Sequence, residues 1–191
     1  MARNTAKALS YLLSNPVVGG FGGLIVMLKE EAFLNNPVLN VLTVLFFYSI
    51  VPFSSVYYLG LRGRTDVFMG ERSRRPKHFI PGLIGYAAST LVFQTWGMRL
   101  MRTVSTSFLL TSLILLLLTF TTKASIHVAG LTSTMILILY FYWPTGLLLL
   151  PLIPVLAWAR VKTGEHTFWQ TVLGAFTGFA GSLLGITIFT A

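Results

Sequence analysis

The sequence has no cysteine, and only five of its 191 residues are acidic. Without cysteine there are no disulfides, no thiolate metal sites and no cysteine nucleophile, and the redox compartment stays open. Charge of either sign is scarce, at 10% of residues against roughly a quarter in soluble domains. What fills the chain instead is apolar: 54% of residues are hydrophobic and the mean hydropathy is +0.77. The length allows one soluble domain or a small bundle of membrane spans, and the long apolar runs decide for the bundle. The fold expected is all-α, a polytopic membrane bundle forming one integral-membrane domain over residues 1–191. The net charge of +9 sits in short loops between apolar runs. The positive-inside bias and anionic headgroups account for it, so the partner expected is the bilayer and not nucleic acid.

Residues 1–36 read as an N-terminal unit. Arg3 and Lys7 precede Ala8-Leu9-Ser10-Tyr11-Leu12-Leu13, which suits a short interfacial helix or the lead-in to a span better than a cleaved signal. Pro16 to Leu28, with Gly19-Gly20-Phe21-Gly22-Gly23, is too short to cross unless Tyr11 to Ser14 join it. Its glycines suit close helix packing; a phosphate loop would need a following Lys-Ser/Thr and a preceding strand. Residues 37–191 form the core. Further spans are expected over Val38–Leu61, with a kink at Pro52, then His78–Gly97, Val104–Thr122, Val128–Trp143, Leu147–Ala159 and Thr167–Thr190, six or seven in all. Gly174, Gly178, Gly181 and Gly185 mark the last as a closely packed helix.

Three polar clusters interrupt the apolar runs: Arg72 to His78, Lys123 to His127, and Arg160 to Gln170. Two spans separate each from the next, so all three fall at one face. If the Gly-rich run also crosses, every Lys and Arg except Lys29, Arg99 and Arg102 lies on that face. By the same bias that face is expected to be cytoplasmic, in a cell membrane.

Titratable groups at the edges of spans are costly to bury and are functional candidates. His166 and Gln170 are four apart and share a helix face, so the amide oxygen can accept from Nδ1–H and leave Nε2 bare as nucleophile or base. The bland alternative is an interfacial cap residue with a polar neighbour. His127 is a candidate general acid, with Lys123 and Ser125 holding phosphate oxygens; the plainer reading is a Ser125 N-cap and a snorkelling Lys123. Arg72 and Arg75 could fork around a phosphate or serve as positive-inside charges. His78 is given no role. No metal site is expected, because Glu165 and His166 are adjacent and point to different sides of a helix.

Together the clusters resemble the type 2 phosphatidic-acid phosphatase superfamily, integral-membrane lipid phosphatases that share their site with vanadium haloperoxidases. Its motifs are Lys-x6-Arg-Pro, Pro-Ser-Gly-His and Ser-Arg-x5-His-x3-Asp. Arg75-Pro76 matches the end of the first; Ser125 and His127 match the second; Arg160, His166 and the position of Gln170 match the third. The resemblance covers roughly Asp66 to the C-terminus. Phe68 stands where the first motif has Lys, Ala124 and Ile126 replace Pro and Gly, Ala159 replaces Ser, and Gln170 replaces the orienting Asp. The chain looks like a divergent branch.

The resemblance implies a phosphatase-like core that hydrolyses a lipid phosphomonoester or isoprenoid (di)phosphate without any cofactor. His166 would form a phosphohistidine, His127 would protonate the leaving group, and Arg72, Arg75, Lys123 and Arg160 would neutralise phosphate oxygens. The short loops favour the isoprenoid class. Two alternatives come from other classes. A non-catalytic lipid-phosphate binder or transporter would keep the cations without needing His166. A membrane prenyltransferase needs paired Asp-rich motifs for Mg²⁺, and Asp66 is the only aspartate.

Overall fold

A computed structural model of the chain describes residues 2–61 and 75–190, and it is helical throughout, with no strand among them. The helices are α1 (Ala2–Leu12), α2 (Asn15–Met27), α3 (Pro37–Leu45), α4 (Val51–Leu61), α5 (Arg75–Thr95), α6 (Arg99–Thr119), α7 (Ile126–Phe141), α8 (Leu152–Lys162) and α9 (Phe168–Thr190). Among the described residues, four stretches are long and apolar enough to cross a membrane: Pro37–Ser54, Arg99–Thr119, Thr145–Lys162 and Phe168–Phe189. The pair α1 and α2, bent by 49°, makes a fifth if counted as one. α7 is apolar but only 16 residues long, and α5 opens on Arg75, Lys77 and His78. The expected six or seven spans thus exceed what helix length and apolarity support by themselves.

Local chemistry explains most helix ends. Pro16 sits in the first turn of α2, where its missing N–H is not needed. Between α3 and α4, Phe46–Ile50 forms one π-helical turn, so the run from Pro37 to Leu61 is continuous. Pro52 cannot donate to the Tyr48 carbonyl and its ring crowds it; widening the preceding turn relieves both. The expected kink is therefore a π-turn. Pro151 is the N-cap residue of α8 and Pro154 lies in its first turn, where a missing N–H is not needed, and the chain enters α8 through a 3-10 turn over Thr145–Leu149.

Long-range contacts set the arrangement. Asn15 Nδ2 donates to the Ile126 carbonyl at 3.1 Å, while the Tyr142 hydroxyl donates to the Ile25 carbonyl at 2.6 Å. α2 and α7 therefore run side by side in the same direction, and the Gly-rich run traverses the bundle with α7. α9 packs on both α6 and α7. A Cβ on Gly174 would lie 2.5 Å from the Ser125 carbonyl oxygen, and Gly178 abuts Ala129 in the same way. Gly181 and Gly185 face Thr111 and Ser107 of α6. The interior is sewn by hydroxyls: Ser133 bonds Ser182 at 2.7 Å and Tyr48 bonds Ser105 at 2.6 Å. Such groups tolerate an apolar surrounding because each finds a partner.

At the end of the bundle away from the histidines, Glu30 is buried and its carboxylate accepts from the Met101 N–H at 2.8 Å. Met98, the N-cap residue of α6, supplies no side-chain cap. A carboxylate from 70 residues upstream does that work, which is why α6 begins at Arg99 and not near Val104 as the apolar run suggests.

Candidate functional site

His166 sits in a short link between two helix-end motifs. α8 closes with a Schellman arrangement: the Gly164 N–H bonds the Val161 carbonyl at 3.0 Å and the Glu165 N–H bonds the Arg160 carbonyl at 3.2 Å. Gly164 takes φ +81°, a backbone conformation that favours glycine. Two residues on, α9 opens with a capping box. The Thr167 hydroxyl accepts from the Gln170 N–H at 3.4 Å, and Gln170 Oε1 accepts from the Thr167 N–H at 3.3 Å. His166 lies between these motifs, buried at 6% exposure, with its own N–H on the Arg160 carbonyl.

The same Gln170 oxygen is 3.0 Å from His166 Nδ1. A backbone N–H can only donate, so the amide atom facing Thr167 must be oxygen. That oxygen can only accept, so Nδ1 carries the hydrogen and Nε2 keeps its lone pair. The orienting pair expected from the four-residue spacing is present, and helix capping fixes its polarity. The capping residue is Gln170 with Thr167, not His166 as the plainer reading had it.

Other expected site residues converge on this link. Lys123 Nζ donates to the Glu165 carbonyl at 3.0 Å, so Lys123 ties its loop to the histidine link and does not snorkel outward. The Ser125 N–H donates to the Gln170 backbone carbonyl at 2.9 Å, joining the start of α7 to the first turn of α9. Ser125 occupies the N-cap position of α7, yet its hydroxyl makes no cap bond. That hydroxyl is buried and has no hydrogen-bond partner among the described residues. Arg160, one turn before the Schellman end, is fully buried. A guanidinium taken out of water needs compensation from its surroundings, and the backbone carbonyl of Arg160 is the group that the His166 N–H bonds. Arg72 lies outside the described residues, and Arg75 is placed only as the first residue of α5.

His127 occupies a different wall. A cavity of about 330 Å³ lies between the α1–α2 break and α4, α5, α6 and α7, and its lining includes His127, His78, Asn15, Tyr86 and Ser112. His166 is not among its lining residues. Sequence reasoning gave His78 no role; its position four residues into α5 brings it onto the same cavity as His127. Burial pulls His127's neighbours together here from five helices, and no sequence spacing encodes that. Among the described residues, no three of His, Asp and Glu come together as metal ligands.

The capping box and the Schellman glycine were legible in Gly164-Glu165-His166-Thr167-Phe168-Trp169-Gln170 as glycine past one helix and Thr-x-x-Gln opening the next. No protein-family model, curated protein or solved structure matches this chain.

Proposed function

We propose that the protein is an integral-membrane phosphatase acting on a lipid phosphomonoester or isoprenoid (di)phosphate, through a phosphohistidine on His166. The observation that carries this reading is the 3.0 Å contact from His166 Nδ1 to Gln170 Oε1, which puts the hydrogen of the neutral ring on Nδ1 and leaves Nε2 as the nucleophile. The Nε2 lone pair attacks phosphorus while the bond from phosphorus to the lipid oxygen breaks. His127, which lines the neighbouring cavity, is the candidate donor of the proton to that oxygen, and its approach to the phosphate on His166 is part of the proposal; the lipid alcohol leaves, or the lipid monophosphate from a diphosphate. Water then attacks phosphorus and gives a proton to the now neutral His127, the P–N bond returns its electrons to Nε2, and inorganic phosphate leaves. Arg160, Lys123, Arg72 and Arg75 neutralise the equatorial oxygens, and the Ser125 hydroxyl at the positive end of α7 adds a donor.

Gln170 differs from a carboxylate in one respect: it orients the ring but adds no charge to stabilise the imidazolium. The enzyme is accordingly slower at the protonated stages than one with Asp there. On this reading the chain crosses seven times, and His78, His127 and His166 share one membrane face. The lysine and arginine distribution makes that face cytoplasmic in the cell membrane.

The test is phosphate release from a panel of lipid phosphates and prenyl diphosphates in detergent with EDTA, wild type beside His166→Ala. Release that survives EDTA and vanishes in the variant supports the reading; release that EDTA abolishes, or that His166→Ala retains, overturns it. One observation favours a second reading, a non-catalytic lipid-phosphate binder: the cavity carries His78 and His127 but not His166. Binding of the same lipids with no release from any of them selects that reading.

A further inference from the structure

The large cavity does not end at the histidines. A smaller one of about 40 Å³ continues from it toward the middle of the bundle, and Asn15, Tyr86, Ser112 and Ile126 line both. These residues form a neck. Tyr86 stands eight residues along α5 from His78, about 12 Å at 1.5 Å per residue. Helical side chains lean toward their own N-terminus, which brings the phenol back toward the imidazoles. The neck thus lies one to two helical turns beneath the histidines.

Among the described residues, two hydroxyls at the neck lack partners, as those of Ser107, Ser125 and Thr132 do elsewhere in the interior, but these two open onto a cavity. The hydroxyls of Tyr48, Ser89, Ser105, Thr111, Ser133 and Ser182 all have hydrogen-bond partners. The hydroxyls of Tyr86 and Ser112 have none among the described residues. The Tyr86 ring packs against two other rings, Tyr48 at 6.2 Å and Phe108 at 5.5 Å between centroids. Ser112 does not even bond back to the carbonyl four residues before it, as Thr103, Ser105 and Thr119 do on the same helix. Two unpaired hydroxyls facing one apolar cavity are costly unless something that enters it bonds them. Apolar walls with a few convergent polar groups are the usual make-up of a small-molecule site.

We propose that this cavity is a binding site for a single-chain amphiphile with an anionic head, and that Tyr86 and Ser112 select ligands carrying a hydroxyl or ester oxygen one to two helical turns below that head. The head lies at His78 and His127, and the uncharged oxygens at the neck. The apolar chain leaves past Phe53 and Val56 of α4 and the break between α1 and α2. A bare prenyl or alkyl phosphate offers nothing to the two hydroxyls; a monoacylglycerol phosphate offers both an ester carbonyl and a hydroxyl. The inference shares with the proposed function only the anionic lipid head, and it reverses the preference for isoprenoids that loop length suggested.

Equilibrium binding of two phosphonates of equal chain length tests it, one a plain alkylphosphonate and one a monoacylglycerol phosphonate. Neither can be hydrolysed, so binding is read without turnover. The glycerol ligand is expected to bind at least fivefold more tightly, about 1 kcal/mol. Tyr86→Phe and Ser112→Ala should each cut that advantage to under twofold and leave the alkylphosphonate unchanged. Gly82 also lines the cavity, and a Cβ there would meet Pro52 and Tyr86 at an ordinary 3.7 Å. A Cβ thus fits there, and Gly82→Leu, which adds bulk on the cavity wall, should weaken both ligands. Equal affinity of the two phosphonates, an undiminished preference in both hydroxyl variants, or binding of neither overturns the proposal. A preserved preference with no phosphate released from the matching phosphate esters would remove the phosphatase reading and leave this site standing.

Discussion

Gln170 holds His166 by the same oxygen with which it caps its own helix, 3.0 Å from Nδ1 and 3.3 Å from the Thr167 N–H. The capping bond exists whether or not the histidine does anything, and it is what makes the acceptor rigid. A side chain that must satisfy a backbone donor cannot rotate its amide, so the tautomer of His166 follows from helix capping.

That relationship is directly measurable. Nitrogen-15 NMR of histidine-labelled protein in detergent should show His166 protonated on Nδ1 with a bare Nε2. Gln170→Leu removes the acceptor and should give a mixture of tautomers. Loss of the cap should also lower stability by about 1 kcal/mol. If His166 carries its hydrogen on Nε2 in the wild type, the nucleophile assignment fails.

Gly164 sets where the link begins. Its φ of +81° is strained for any residue with a Cβ, although nothing crowds the position. Gly164→Ala should cost about 1–2 kcal/mol in unfolding measured in detergent, and Gly164→Asn distinctly less. Equal stability of both variants would mean that the link relaxes freely and the Schellman end does not place His166.

Glu30 gives the protein a pH dependence far from the histidines. Burial raises its pKa above the usual carboxylate value, and the N–H groups of Met101 and Leu100 offset that only in part. The folded state therefore binds this proton more tightly than the unfolded chain. The stabilisation is complete below the ordinary carboxylate pKa and is lost as pH rises through the raised one. Glu30→Gln keeps an oxygen for Met101 and should flatten that slope in thermal unfolding as pH rises above the ordinary carboxylate pKa. A slope that survives the substitution would assign it to another group.

The glycine face of α9 can be tested against an open position. A Cβ on Gly178 would overlap the Ala129 carbonyl and approach Ser133 N at 2.9 Å, both backbone atoms. Gly178→Ala should cost about 1–3 kcal/mol by forcing α7 and α9 apart. Gly60, with nothing within 4 Å, should accept alanine with no loss. A neutral Gly178→Ala would mean that the helices separate without penalty.

Much of this was legible without coordinates, and the reason is distance along the chain. His166 and Gln170 are four residues apart, so helical geometry alone predicts their contact. The small-residue spacing of α9 predicts close packing in the same way. Sequence reasoning missed the Glu30 cap on α6 because its partners are 71 residues apart. It also set the number of spans higher than helix length and apolarity support, since α7 is short and α5 begins among cations.

The sequence by itself determined an apolar helical protein, the polar interruptions between its helices, and the link that orients His166. Each of these depends on composition or on neighbours within one helical turn. Only the tertiary structure decided which wall His127 lies on, that His78 joins it, and that Tyr86 and Ser112 open onto the cavity below them. Those residues come from three helices, and their meeting depends on how α5, α6 and α7 rotate against one another. That rotation is set by the packing of many side chains at once, which no local pattern records.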